Sequence, residues 1–332
     1  MTGPWGMAHE MRRANRVARP RVMPSIRPMR ISSRGGWSRI GSLGLLALAT
    51  WPASAAITVS PWKPIFQGVE SATGESDAAE PRLQKVRAVR IDLRAPGIEL
   101  FSTPSNGDAP LETTSETTSE FLVHHHLQVA INANFFAPCC APGDKDLVGL
   151  AVSRGTVVSP PAATGTGSSA LVVTRDNHAA ITTTGAGFAT TNIWTAVSGS
   201  NRVLVNGAKL AFPDTEFNRT NHPRSVVGVS KDGRYLILMT IDGRQPGYSL
   251  GATMDEVGDW LLRFGAHEGL NLDGGGSTAL VRAEGDRAVV LNQPSGVALG
   301  SSDNAGKSGG ERQQRSNGNN LGVFARPLAA AK

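Results

Sequence analysis

Between Thr253 and Gly265 the chain carries a capped amphipathic helix, and an apolar run ending in Asp-Gly stands on either side of it. Thr253 is placed to cap the helix, with Glu256 three residues on completing a capping box. Met254, Val257, Trp260, Leu261 and Phe264 then fall on one face, and Gly265 suits the C-terminal stop. Upstream, Ser225–Ser230 and Tyr235–Ile241 read as strands joined by the Lys231-Asp232-Gly233 turn. Downstream, Gly269–Leu272 reads as a buried strand, followed by a glycine turn and a further strand, Thr278–Arg282. A strand–helix–strand unit within one sheet is normally parallel, with a right-handed crossover. On that expectation Asp242 and Asp273 sit side by side at the carboxyl edge of the sheet, about 4.8 Å apart if their strands are neighbours. That edge is where such units bind ligands.

The first half of the chain has a different texture. Val86–Leu93 alternates apolar and polar residues like a half-buried strand. Thr113–His126 is expected to be helical and Val129–Asn132 a strand. From Val148 to Val205 come short β-branched runs separated by Gly, Asn and Ser turns, the pattern of antiparallel hairpins. Ser295–Asn320 is a long Gly/Ser/Asn-rich loop, a length that marks a lid or a disordered segment, and Leu321–Ala325 closes the fold as a strand. The expected fold class is α+β. It is a single mixed-sheet domain over residues 86–326, with β-hairpins in its first half and the strand–helix–strand unit in its second. Residues 56–85 precede it as an N-terminal segment containing a surface loop, and 327–332 follow as a tail.

A net charge of +6 invites a nucleic-acid reading, and its location removes that reading. Nine arginines and one acid, Glu10, lie within the first 39 residues, so everything after them is slightly acidic. The arginines precede an apolar run, Ile40–Trp51, then Pro52 and Ala53-Ser54-Ala55. This is the layout of a signal peptide cleaved near Ala55-Ala56. The run is 12 residues long, short of the roughly 20 that a spanning helix needs. The expectation is therefore a periplasmic or secreted protein with no stable membrane span after cleavage and no nucleic-acid partner. The two cysteines, Cys139 and Cys140, are adjacent. They form either a vicinal disulfide or a pair of buried thiols, and neither closes a loop, so the core must hold the domain.

Chemistry concentrates at the two Asp-Gly strand ends. Each is open to the plain reading of a turn. At Asp273 three successive glycines, Gly274, Gly275 and Gly276, favour a site, because their backbone N–H groups can approach an anion closely. No Gly-Lys-Ser/Thr follows, which excludes a Walker loop. His124-His125-His126 is read as a solvated helix end, since neighbouring residues on a helix diverge. No cofactor and no metal are expected. Trp194 is a candidate for stacking on a sugar face.

The sequence resembles the phosphodiester glycosidase family. The family's N-L-D-G-G-G-S motif stands here as Asn271–Ser277, its I-N-G-x-F-F segment as Ile131–Phe136 with Ala133 in place of the glycine, and its H-P-R-S strand as His222–Ser225. Its D-G-R stands as Asp242–Arg244, and its closing R-x-x-x-N-x-L as Arg315, Asn319 and Leu321, with Glu311-Arg312 an alternative register for the arginine. The match runs from about Gln128 to Ala325. The resemblance implies a hydrolase that opens the bond between a sugar C1 and a phosphodiester oxygen, with N-acetylglucosamine as the sugar and an envelope or extracellular glycan as the source. It assigns Asp273 as base or oxocarbenium stabiliser and Asp242 as the second carboxylate. Arg224 becomes a bidentate phosphate clamp, assisted by Gly274, Gly275, Gly276 and Ser277. Asn132 and Asn134 are assigned to sugar hydroxyls or an acetamide, and Arg315 and Asn319 complete the substrate contacts. Two other readings compete. One is a non-catalytic exopolysaccharide-binding envelope protein. The other is a metal-assisted phosphodiesterase with both aspartates as hard ligands.

Overall fold

The computed structural model describes residues 57–77, 82–296 and 314–329. The expected signal peptide, residues 78–81 and the 297–313 segment lie outside the described residues, and the surface loop expected over Ser71–Pro81 is strand through Ser76. The described residues all belong to one compact unit. Among the described residues, no helix is long and apolar enough to cross a membrane.

Strands dominate, and among the described residues they form four sheets in which every pairing is antiparallel. The expected single mixed sheet is thus corrected to several antiparallel ones. The largest has nine strands, with Val69–Ser76, Gln84–Asp92, Tyr235–Ile241, Arg224–Val229, Glu268–Asn271 and Arg202–Val205 as successive neighbours across its middle. A five-stranded sheet of hairpins covers much of Ala151–Gly199. A second five-stranded sheet brings Glu99–Ser102, Val129–Asn132, Leu280–Glu284, Arg287–Val290 and Asn320–Phe324 together.

The alternation along the central strands separates two cores. Val89, Ile91, Val227, Val229, Leu236 and Leu238 face a core shared with Leu100, Ile131, Leu171 and Leu321 from the smaller sheets. Their neighbours Val86, Ala88, Val226, Ile237, Met239 and Ile241 face the opposite side, against Met254, Val257, Trp260, Leu261 and Phe264. This period of two is what a sheet covered on both faces requires. The helix spans Met254–Arg263, and Thr253 and Glu256 make both capping-box hydrogen bonds.

The helix does connect two strands running in the same direction, but they are not neighbours. Tyr235–Ile241 and Glu268–Asn271 each pair with Arg224–Val229, which lies between them. Asp242 and Asp273 follow strands two spacings apart, about 9.6 Å, so the condition of neighbouring strands is not met. The Thr113–His126 helix is also shorter than expected. It spans Thr118–His124, and Thr113–Thr114 pairs as a strand with Asp144–Lys145.

Candidate active site

At the end of the large sheet where Arg224–Val229 begins and Glu268–Asn271 ends, a cleft of about 420 Å³ opens. Asp273 and its three glycines lie on one side, and Phe135, Phe136, Phe217 and Cys139 supply apolar walls. His222, Arg224, Arg244 and Arg315 also line it. Asp273 is the sole carboxylate among the described lining residues.

The Asp273 side chain is held at both oxygens. Oδ1 accepts from the Gly274 N–H at 2.9 Å. Oδ2 accepts from the Ser277 hydroxyl at 2.5 Å and from Arg315 Nη2 at 3.3 Å. Arg315 also donates to the Ser277 hydroxyl through Nε at 3.1 Å and through Nη2. Burial pushes the Asp273 carboxyl above the ordinary carboxylate value, against the lowering pull of Arg315, Ser277 and the Gly274 amide. Its backbone is fixed as firmly. Asn132 Nδ2 donates to the Asp273 carbonyl at 2.7 Å, and Asn132 Oδ1 accepts from the Ser225 hydroxyl at 2.6 Å and the Ala279 N–H at 3.2 Å.

The glycine run serves approach more than amide donation. The Gly274 amide bonds Asp273, that of Gly275 bonds the Pro223 carbonyl, and that of Ser277 bonds the Gly274 carbonyl. A Cβ on Gly274 would lie 2.7 Å from the Pro223 carbonyl oxygen. Gly275 adopts φ +61°, and a Cβ there would lie 3.2 Å from Arg244 Nη2. The missing side chain thus makes room for the Arg244 guanidinium above the turn.

The three arginines differ in their partners. Arg224 is buried and donates Nε to the Ala252 carbonyl at 3.0 Å and Nη2 to the carbonyls of Phe217 and Thr220 at 2.8 and 3.0 Å. Burial and the neighbouring Arg244 lower its pKa to about 10. Its guanidinium therefore fastens the short Glu216–Arg219 helix to the sheet, and it makes no pair with Asp242. Arg315 is paired with Asp273. Arg244 is exposed to the cleft and pairs with no carboxylate among the described residues. Its Nη2 lies 3.3 Å from His222 Nδ1. An arginine can only donate, so Nδ1 accepts and the His222 proton resides on Nε2. Burial, with Arg224 and Arg244 nearby, lowers the His222 pKa to about 4, so the ring is neutral at pH 7. Partial packing and repulsion from Arg315 lower the Arg244 pKa as well.

Asp242 stands apart from the cleft. Its buried carboxylate accepts from Asn292 Nδ2 at 2.9 Å, from the Gln293 N–H at 2.9 and 3.0 Å, and from the Tyr248 hydroxyl at 3.1 Å. Burial pushes its pKa up to about 6 against those donors. Asp242 thereby pins the Leu291–Gln293 segment to the end of the sheet. Asn134 and Asn319 are likewise engaged within the protein. Asn134 Oδ1 accepts from Ser198 N and Asn319 Nδ2, each at 2.9 Å, and its Nδ2 faces the carbonyls of Val148, Gly149 and Leu150 at 3.3 Å. Asn319 Oδ1 accepts from the Thr103 N–H at 3.3 Å. Neither these two nor Asn132 lines the cleft, so the sugar contacts expected of Asn132 and Asn134 and the substrate contact expected of Asn319 give way to structural bonds.

Of the sequence candidates, then, the structure gathers Asp273, Gly274, Gly275, Gly276, Ser277, Arg315 and the edge of Arg224. Arg244, His222, Phe135, Phe136, Phe217 and Cys139 join them. Arg244 and His222 were visible inside matched motifs, and only their roles were missing. The histidine run lies at the exposed end of its helix, in keeping with the sequence reading. The helix ends at His124, and the His124 and His125 rings stack with centroids 4.5 Å apart. With Glu116 they bring three ligand-type atoms within 4.8 Å of one another. Near-parallel stacked rings do not aim both lone pairs at one ion, and His124 Nδ1 is already bonded to Glu116 at 2.8 Å.

Solved structures share this fold. The catalytic domain of zebrafish N-acetylglucosamine-1-phosphodiester α-N-acetylglucosaminidase, auto-inhibited by its pro-peptide, aligns with TM-score 0.57 at 17% identity, over 80% of this chain and 85% of that one. A hypothetical protein from Synechocystis aligns with TM-score 0.55 at 16% identity, over 83% and 69%. A candidate exported protein from Burkholderia pseudomallei K96243 aligns with TM-score 0.51 at 15% identity, over 82% and 97%. At these identities the likeness is one of fold. No curated protein sequence matches the chain. The family model for phosphodiester glycosidase matches residues 125–324, a span that contains the whole of the cleft described above, and on that match the chain belongs to the phosphodiester glycosidase family.

Proposed function

We propose that this protein is an exported hydrolase that cleaves the bond between a sugar C1 and the bridging oxygen of a phosphodiester. The observation that carries this reading is a cleft that, among the described residues, has a single carboxylate, Asp273, and an arginine without a carboxylate partner, Arg244. An ordinary glycosidase needs two carboxyl groups, one of them to protonate a poor leaving group. A phosphodiester leaves as a weakly basic anion and needs no such acid. One carboxylate to activate water or stabilise the oxocarbenium ion is then enough, provided a cation holds the phosphate.

Arg244 is that cation, with the neutral His222 Nε2–H as a second donor. Arg315 and Ser277 favour the ionised form of Asp273, against the burial that raises its pKa. Phe135, Phe136 and Phe217 offer faces to the sugar ring, and a volume near 420 Å³ lies within the usual range of small-molecule sites. The fold of the zebrafish enzyme and the family match support N-acetylglucosamine as the sugar. The candidate exported protein among the structural neighbours is consistent with a periplasmic or secreted setting. The two-aspartate metal reading loses support because Asp242 is engaged by Tyr248, Asn292 and Gln293 away from the cleft.

The test is hydrolysis of an N-acetylglucosamine-1-phosphodiester in ¹⁸O water. The label should appear in the free sugar, and Asp273→Asn should lower turnover by about 10²–10⁴-fold with an unchanged melting temperature. Label in the phosphate, or near-normal turnover by a folded Asp273→Asn protein, would remove the assignment.

A further inference from the structure

The adjacent cysteines take no part in the chemistry proposed above, yet they touch it. Cys139 and Cys140 form a disulfide. Cys139 is exposed and lines the cleft, and Cys140 is half-buried beside it. Arg315 Nη1 donates to Cys140 Sγ at 3.2 Å and lies 3.7 Å from Cys139 Sγ. The same guanidinium uses Nε and Nη2 on Ser277 and Asp273 and lies 5.7 Å from the centre of the Phe136 ring. One planar group therefore has the disulfide on one edge and the Asp273 carboxylate on the other.

We propose that the Cys139–Cys140 disulfide is a redox-responsive positioning element, seating Arg315 against Asp273 when oxidised and releasing it when reduced. Two linked sulfurs are neutral, weak acceptors at fixed positions. They orient Nη1 without competing for the charge that Nη2 offers to Asp273. Reduction removes that arrangement. A dithiol reductant attacks one sulfur, a mixed disulfide forms, and the second thiol of the reductant displaces it. The cysteine pair gains two electrons and two protons while the reductant closes its own disulfide. The two freed sulfurs separate to van der Waals contact. The one beside the guanidinium, as a thiolate, competes with Asp273 for Arg315. Arg315 is the charged group that faces Asp273, and Arg244, which also lines the cleft, is near enough to repel Arg315. Drawing Arg315 away thus removes the main influence opposing burial at Asp273. The exposure of Cys139 leaves the bond open to a reductant.

This inference rests on the hydrolase reading for its effect on turnover, but its core concerns Asp273 alone and can be read without activity. The full chain, purified without reductant, is titrated by ¹³C NMR of the Asp273 carboxyl, assigned by loss of the signal in Asp273→Asn, before and after a dithiol reductant. We expect reduction to raise the Asp273 midpoint by about one pH unit and to move the acid limb of sugar release upward with it. Below that limb kcat should fall about tenfold, with KM changing much less. The double variant Cys139→Ser/Cys140→Ser should show no response to reductant. An Asp273 midpoint unmoved by reduction overturns the proposal. So does an equal response from the double variant, or a thiol count of two in the unreduced protein. A midpoint that moves in a protein releasing no sugar sustains the positioning role and sinks the hydrolase reading.

Discussion

Arg224 and Arg244 border the same cleft with the same charge, and their acceptors separate them. Arg224 gives its hydrogens to three backbone carbonyls, while the Arg244 guanidinium bonds, among the described residues, the ring nitrogen of His222 alone. Arg224→Lys cannot reach all three carbonyls and should cost about 1–3 kcal/mol of stability, read as a lower denaturant midpoint. Arg244→Lys should leave stability unchanged and lower kcat/KM for a sugar phosphodiester about 10–100-fold, because a point charge replaces a planar fork. The opposite pairing of outcomes would exchange the two roles. The residue pattern singles out Arg224 through His-Pro-Arg-Ser, and that pattern cannot show its acceptors, which are main-chain oxygens of Phe217, Thr220 and Ala252. The asparagines follow the same logic. Asn132 and Asn134 stand in a matched motif because the seam between sheets needs an amide with both donor and acceptor ends, a requirement that looks in sequence like sugar recognition.

The Met254–Arg263 helix was legible because its determinants are local: a cap, a capping-box partner and an apolar stripe. Its docking was not legible, since it depends on a glycine far upstream. Gly74 lies on the Val69–Ser76 strand beneath the Trp260 ring, and a Cβ there would fall 2.5 Å from Trp260 Cζ3. Trp260 is pinned in turn by its Nε1–H bond to Gln84 Oε1 at 2.7 Å. Gly74→Ala should therefore lift the helix and destabilise the fold by about 1–3 kcal/mol. Trp260→Phe, which removes the colliding ring, should recover part of that loss in the double variant. Additive losses in the double-mutant cycle would show that the two residues do not meet. Sheet order shows the same limit. The Lys231-Asp232-Gly233 turn identified a hairpin correctly. Strand-to-strand direction across the helix is also a short-range property, whereas the insertion of Arg224–Val229 between the two Asp-Gly strands is a choice among partners that only the assembled cores decide.

Over the whole molecule, a buried carboxyl and a half-buried imidazole at this end of the sheet oppose each other in their response to pH. Asp242 has its pKa raised to about 6 by burial, so its contribution to stability is full below the unfolded value near 3.8 and is lost as pH rises toward 6. His222 has its pKa lowered from 6.5 to about 4, so the unfolded chain binds the extra proton between those values and stability rises with pH across them. The windows overlap and the signs cancel, which predicts a nearly flat contribution from this pair between pH 4 and 6. Asp242→Asn removes one side, and its melting temperature should climb more steeply than that of the wild type from pH 4 to 6.5. Parallel profiles would mean that Asp242 is not buried as an acid. The bonds of Asn132 bear on a different question, that of redesign. They register the Asp273 backbone against two sheets at once, while Phe135 belongs to an irregular segment and Phe217 to a four-residue helix. Exchanging either phenylalanine alters the space offered to a guest without disturbing the Asn132 junction, so the molecule's selectivity is evolvable by single steps at its rim while its reactive centre stays in register.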